Sequence, residues 1–198
     1  MNQRTPQLPV PTEELVQSYI QQFNQSEDVV EQALSKLFGL FRTNTVHDEV
    51  LLKVVALNAL YGTGILATRK VAEHIVSLKI DPGLGAGQTE VVHRIARIEI
   101  AGKNRNNYSF ATKYCSWHNP IHYPIFDSFV EEMLWGYRKR DGFSSFQRQD
   151  LWQYSQLKQA IEDFRTHYGL SMFDLKDIDK FLWLAGKAIF PREWSSQP

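Results

Sequence analysis

The sequence of 198 residues has a single cysteine, Cys115, so no intramolecular disulfide can form and the thiol content suits a reducing compartment. Neither sign of charge prevails. Lys plus Arg and Asp plus Glu number 22 each, and a net charge of zero predicts no polyanion partner from global charge. Any nucleic-acid contact must then come from a local basic face. No apolar run approaches a membrane span, and the opening MNQRTPQLPVPTEE lacks the apolar stretch of a secretory leader. A soluble, unexported, cytoplasmic protein is expected, with no membrane partner. Pro6, Pro9 and Pro11 predict an extended arm over residues 1–11.

Apolar residues are plentiful, at 43% with 13% aromatics, enough to bury one core and predict a single domain over 12–198. Their spacing is helical nearly everywhere. Thr12 predicts the cap of a first helix through Leu15, Val16, Tyr19, Ile20 and Phe23, and Ser26 the opening of a second, with Gly39 as its terminator. Thr45, with Asp48 as reciprocal capping acid, opens a third helix that is apolar nearly all round and so belongs at the bundle centre. Gly62-Thr63-Gly64 ends it. A fourth, with Val71, Ala72, Ile75 and Val76 on one face, is broken by Asp81-Pro82-Gly83.

Gly83, Gly85 and Gly87 follow a helix rather than a strand and lack a Gly-Lys-Ser/Thr ending, which reads as a flexible inter-helix loop and not a phosphate loop. Val91, Val92, Ile95 and Ala96 predict a short helix. Ile98-Glu99-Ile100 is the only alternating run, too short to found a sheet. Beyond a helix with Val130, Met133, Leu134 and Trp135, the segment Lys139-Arg140-Asp141-Gly142 reads as a turn. A long helix through Leu151, Tyr154, Leu157, Ile161 and Phe164 then runs to Gly169. The last is opened by Asp174 or Ser171 and closed by Pro191. The fold class is all-α, with about eight to ten helices and no internal repeat.

The most informative stretch is Asn106 to Val130, NNYSFATKYCSWHNPIHYPIFDSFV. Asn106 or Asn107 can cap a helix carrying Tyr108, Phe110, Ala111, Tyr114 and Cys115, which Asn119-Pro120 and Pro124 stop. A second helix starts near Asp127, whose carboxylate suits the free N–H groups of a first turn.

This arrangement resembles the helix-hairpin-helix DNA glycosylase superfamily, where a Pro-hydrophobic-Asp turn presents a catalytic aspartate at a helix N-terminus, here Tyr123-Pro124-Ile125-Phe126-Asp127-Ser128. The SFATKY run makes it most similar to the 8-oxoguanine DNA glycosylase-like branch. The close match covers roughly residues 102 to 130, the looser one about 46 to 139. Two departures stand out. The superfamily's hydrophobic-Pro-Gly-hydrophobic-Gly hairpin is replaced by Ile100-Ala101-Gly102-Lys103-Asn104-Arg105-Asn106-Asn107, which keeps Gly102 alone. The nucleophilic lysine of bifunctional members falls at Tyr108 or Ser109, while Lys113 lies one turn further along.

The resemblance implies base-excision repair of double-stranded DNA: hydrolysis of the N-glycosidic bond of a damaged base, such as an oxidised purine, without a cofactor. Asp127 would then stabilise the cationic sugar and Lys113 would trap it in a lyase step. Gly102, Lys103, Arg105, Asn107, Ser109 and His118 are the expected DNA contacts, with Arg138, Lys139 and Arg140 as further basic candidates. Trp117, Tyr123 and Phe126 are the expected base pocket, set against a plain core role for aromatics at helical spacing. Cys115, His118 and His122 give C-x2-H-x3-H, but Pro120 interrupts the helix that would align them and no fourth ligand is evident, so no metal is expected. The other reading is a catalytically silent helical module for nucleic-acid or protein interaction, with Asp127 a cap alone and Lys113 lying over aromatic surface.

Overall fold

Almost every apolar stripe becomes a helix. The computed structural model describes residues 7–26 and 28–190. In them run α1 (Glu13–Ser26), α2 (Asp28–Leu40), α3 (His47–Tyr61), α4 (Thr68–Leu78), α5 (Asp81–Gly85) and α6 (Glu90–Ala96). A hairpin of β1 (Arg97–Ile100) and β2 (Lys103–Asn106) follows, then α7 (Tyr108–His118), α8 (Ser128–Asp141), a 3-10 turn (Arg148–Trp152), α9 (Tyr154–His167) and α10 (Leu175–Ile189). The all-α class holds, and no described helix is long and apolar enough to cross a membrane. Residues 1–6 of the expected arm and the expected stop at Pro191 lie outside the described residues.

The centre of the bundle is α7, not α3. Eight of the eleven α7 residues are buried, including Tyr108, Phe110, Tyr114 and Cys115. In contrast α3 buries one stripe, Val50, Lys53, Val54 and Leu57, and leaves Leu52, Val55 and Leu60 about half exposed. An all-round apolar composition does not say how many neighbours a helix will find; α3 packs on α4, α2 and α7, which cover only part of its circumference. The described part of the N-terminal arm is tied to α8. Leu8 is buried against Gly136, where a methyl group would sit 2.7 Å from Leu8 Cδ1. Tyr137 donates to Pro9 O at 2.9 Å, and Arg140 Nη1 to Leu8 O at 2.6 Å.

Several boundaries depart from the sequence expectation, each for a local reason. Ser26 ends α1, its hydroxyl donating to Phe23 O, and α2 begins at Asp28. Thr45 does not cap α3; it pairs with Thr43, Asp48 accepts from Glu49 N–H, and Val46 takes the cap position. Asp81-Pro82-Gly83 opens α5 instead of breaking α4, because Lys79 has already ended α4 in the left-handed region at φ 49°. Two of the three glycines, Gly83 and Gly85, are therefore helical, and Gly87 lies in the turn beyond α5 at φ 69°. Lys139-Arg140-Asp141 continues α8 up to Gly142 at φ 63°. Leu151 belongs to the 3-10 turn, whose start is held by a reciprocal cap between Gln147 and Asp150 and which Gln153, in extended conformation, separates from α9.

The alternating run at Ile98 is a strand, and it founds a small sheet that its length alone did not predict. β1 pairs antiparallel with β2, Ile100 opposite Lys103, around Ala101 at φ 51° and Gly102 at φ 72°. Two left-handed central residues make the tight turn whose twist matches paired strands. The polar KNRN sequence of β2 hid this strand, because all four residues are exposed and no alternation was required.

Candidate active site

Four elements, α5, α7, α9 and α10, converge on the turn between α7 and α8. Asn119 ends α7, and its amide donates to Leu84 O at 3.0 Å. Tyr154 donates its hydroxyl to Pro124 O at 2.9 Å. Asp179 of α10 accepts from Ile125 N–H at 2.6 Å, and Thr112 Oγ1 of α7 accepts from Phe126 N–H at 3.0 Å. Ser109 Oγ donates to Phe126 O at 3.0 Å. With successive backbone groups tied to different elements, the next residue is placed with little freedom. That residue is Asp127, extended at φ −137° and ψ 156°, the N-cap of α8.

Asp127 Oδ1 accepts from Phe129 N–H at 2.9 Å, which fixes the carboxylate and leaves Oδ2 turned to the Lys113 amine at 3.5 Å. Lys113 Nζ also donates to Ser109 Oγ at 2.6 Å and lies 5.6 Å from the centre of the Tyr61 ring. The side chain thus reaches back one helical turn from its own Cα. Lys113 is only 4% exposed, and burial pulls its pKa below the usual amine range, with the charge of Asp127 opposing. A desolvated amine with more of its free-base form is a better nucleophile at neutral pH than a solvated lysine. Asp127, with 21% of its side chain exposed, forms the open edge of the pair.

Two buried charged residues support this region, and the sequence reading named neither. Asp179 is 5% exposed; its Oδ1 has no hydrogen-bond partner, and burial raises its pKa well above the carboxylate range. Lys53 is fully buried and donates to Phe41 O (3.0 Å), Thr43 O (2.8 Å) and Asn44 Oδ1 (2.8 Å), with His118 Nε2 at 3.2 Å. Asn44 in turn donates from Nδ2 to Asp81 Oδ1 at 2.6 Å and accepts from the Tyr114 hydroxyl. A signal for both existed: each is a charged residue at a position where helical spacing faces the core, between Val50 and Leu57 or beside Ile178 and Leu182.

The remaining expected site residues are distributed unevenly. Ser109 joins the Lys113–Asp127 pair. Gly102, Lys103 and Arg105 sit on the exposed hairpin, and Asn107 takes the N-cap position of α7 without a side-chain cap, its N–H donating to Ala96 O. Tyr123 is fully buried, its hydroxyl 3.0 Å from Gln88 O and its ring stacked on Tyr154, and Phe126 is packed between Tyr108 and Trp152. Neither offers a free ring face, so these two expected pocket residues are core. Trp117 is half-buried, with the Lys176 amine 4.3 Å from its ring centre.

His118 lies against Lys53 and the rings of Phe38 and Tyr114, and burial and that cation push its pKa down to about 3, leaving it neutral. Cys115 is buried with its thiol pKa pushed up, and His122 lies at the surface against Gly87. Among the described residues no cluster of His, Cys, Asp and Glu could hold a metal ion. Of the second basic run, Arg138 and Lys139 lie over Trp135, and Arg140 binds Asp141 and the arm.

Comparison with known proteins adds a family and a relative. Residues 15–122 match the HI_0787_N family, described as an N-terminal domain; the match spans α7 and Lys113 and stops short of Asp127. An uncharacterized protein of Haemophilus influenzae (strain ATCC 51907 / DSM 11121 / KW20 / Rd) is 43% identical over 150 residues, covering 75% of this chain and 72% of the relative. No solved structure matches. With more than half of its length matched, the chain belongs to the HI_0787_N family.

Proposed function

We propose that the protein acts on DNA as a base-excision glycosylase, with Asp127 as the carboxylate facing the reacting sugar and Lys113 as the amine nucleophile. The observation that carries this reading is the 3.5 Å approach of the Lys113 amine to Asp127 at the mouth of α8, with Ser109 fixing the amine from the preceding turn. In this scheme the free-base amine attacks C1′ of the deoxyribose as the C–N bond to the base breaks. The base leaves with the bonding electron pair and takes up a proton. Asp127 offsets the positive charge that develops on the sugar. The amine then loses a proton and the ring opens to a Schiff base.

The exposed hairpin, with Arg97, Lys103 and Arg105, supplies a local basic element directly before α7 in a chain of zero net charge, as a duplex contact would need. A damaged purine is the substrate class implied by the resemblance. One observation favours a second reading: the near-complete burial of Lys113 suits a silent module in which the pair only holds the α7–α8 turn.

One experiment separates the two. The full chain is incubated with a panel of lesion-bearing and abasic duplexes in the presence of borohydride. A covalent adduct that appears with the parent and is lost in Lys113→Ala supports the enzyme; absence of both adduct and excision across the panel leaves the module.

A further inference from the structure

A second cleft, separate from the Lys113–Asp127 pair, opens between the C-terminal end of α2, the end of α7 and the first turn of α10. It encloses about 400 Å³, and Ser35, Arg42, Ser116, Trp117, His118 and Lys176 are among its lining residues. The lining holds two cations and several hydrogen-bond donors, and no carboxylate. Lys176 shares its charge with Glu31, 2.7 Å away just outside the lining, so Arg42 carries the positive field of the cleft.

The donors are held in place by other groups. Lys176 is aimed by Glu31, at 2.7 Å, and by the Trp117 ring beneath it, at 4.3 Å. Arg42 is anchored through Nε to Gly39 O at 3.1 Å, which leaves the terminal guanidinium nitrogens for a ligand. His118 faces the buried Lys53 amine with Nε2. If that ammonium donates, Nε2 accepts, and the neutral imidazole carries its proton on Nδ1 as another donor. Trp117 itself, with Lys176 over its ring and Phe38 at 5.9 Å, steadies the ammonium instead of offering a free stacking surface.

We propose that this cleft is a phosphate-binding site, formed by Arg42 and Lys176 with the hydroxyls of Ser35 and Ser116. A tetrahedral oxyanion matches the chemistry: a guanidinium gives two parallel N–H donors to adjacent oxygens, the ammonium that Glu31 holds donates to a third, and hydroxyls complete the set. The phosphate can come from a free anion or nucleotide, or from a nucleic-acid backbone; the recognition chemistry is the same. The site stands independently of the glycosylase reading, since none of its residues belongs to the Lys113–Asp127 pair.

The test uses the full chain and three probes: inorganic phosphate against chloride at matched ionic strength, a deoxynucleoside monophosphate, and an undamaged duplex. Binding is followed by the indole N–H resonance of Trp117 and by calorimetry. Saturable phosphate binding that shifts this resonance, weakened about tenfold or more in Arg42→Ala/Lys176→Ala, is the expected result. If the double variant also weakens duplex binding, the nucleic-acid backbone is the source; if duplex binding is unmoved, the source is a free phosphate or nucleotide. Hairpin variants at Lys103 and Arg105 should leave inorganic phosphate affinity unchanged. The proposal is overturned if calorimetry finds no saturable phosphate binding beyond that of chloride, or if the folded double variant binds phosphate as the parent does.

Discussion

Asp179 accepts a hydrogen bond from the backbone N–H of Ile125 at 2.6 Å, across the contact between α10 and the turn that delivers Asp127. Its other oxygen has no partner, and burial raises its pKa well above the carboxylate range. In the unfolded chain the same group titrates at about 3.9. Above that pH the native state holds a proton that the unfolded chain has released, so this residue's contribution falls as pH rises toward its native pKa. Asp179→Asn keeps an acceptor for Ile125 and removes the titration. Its thermal stability relative to the parent should therefore improve as pH rises above the unfolded value of about 3.9. A difference that stays flat or moves the other way would show that Asp179 is ionised in the native state.

Asp127→Asn separates cap from chemistry. Asparagine caps a helix nearly as well as aspartate, and Lys113 can shed its proton when its counter-charge is lost, so stability should fall by only about 1 kcal/mol. Base excision should fall by about a hundredfold or more, because the developing sugar cation loses its anion. Once a substrate is identified by the lesion panel, an unchanged rate in single-turnover excision would reduce Asp127 to a cap.

The hairpin makes a salt-dependent prediction. Replacing Lys103 and Arg105 with Ala should weaken duplex binding evenly across sequences and lower the log–log salt slope by about 2 if each contacts one phosphate. A slope equal to the parental one would put the DNA surface elsewhere.

Ala101 occupies a left-handed position at φ 51°. Asparagine tolerates that region better than alanine, and Asn-Gly is the favoured pair for this turn. Ala101→Asn is expected to stabilise the protein by about 0.5–1 kcal/mol, read by urea denaturation. A loss of stability would contradict the turn geometry.

Lys53 fills a cage of acceptors. Lys53→Met keeps the volume and apolar stem but strands Phe41 O and Thr43 O and leaves Asn44 Oδ1 with the Tyr114 hydroxyl alone. The expected cost is about 3 kcal/mol in chemical denaturation. A neutral outcome would mean that water replaces the ammonium.

The sequence by itself determined the helical class, because a repeat of 3.6 residues in apolar positions leaves no other way to bury them together. It also located the Asp127 cap, since a proline-bounded turn followed by an acid and an apolar run signals a helix start through local chemistry alone. The tertiary structure decided the rest. It made α7 the buried centre and left α3 half exposed, because neighbours and not composition set burial. It turned Lys103–Asn106 into a strand, a pairing that cross-strand hydrogen bonds create and exposed polar residues do not announce. Counted along the helix, Lys113 is a turn beyond the position of interest; only in three dimensions does its long side chain return to Ser109 and Asp127. Asp179 and Lys53 came into view the same way: a charged residue in a helical stripe acquires its role from acceptors and donors that distant segments bring to it, and sequence spacing carries no record of those partners.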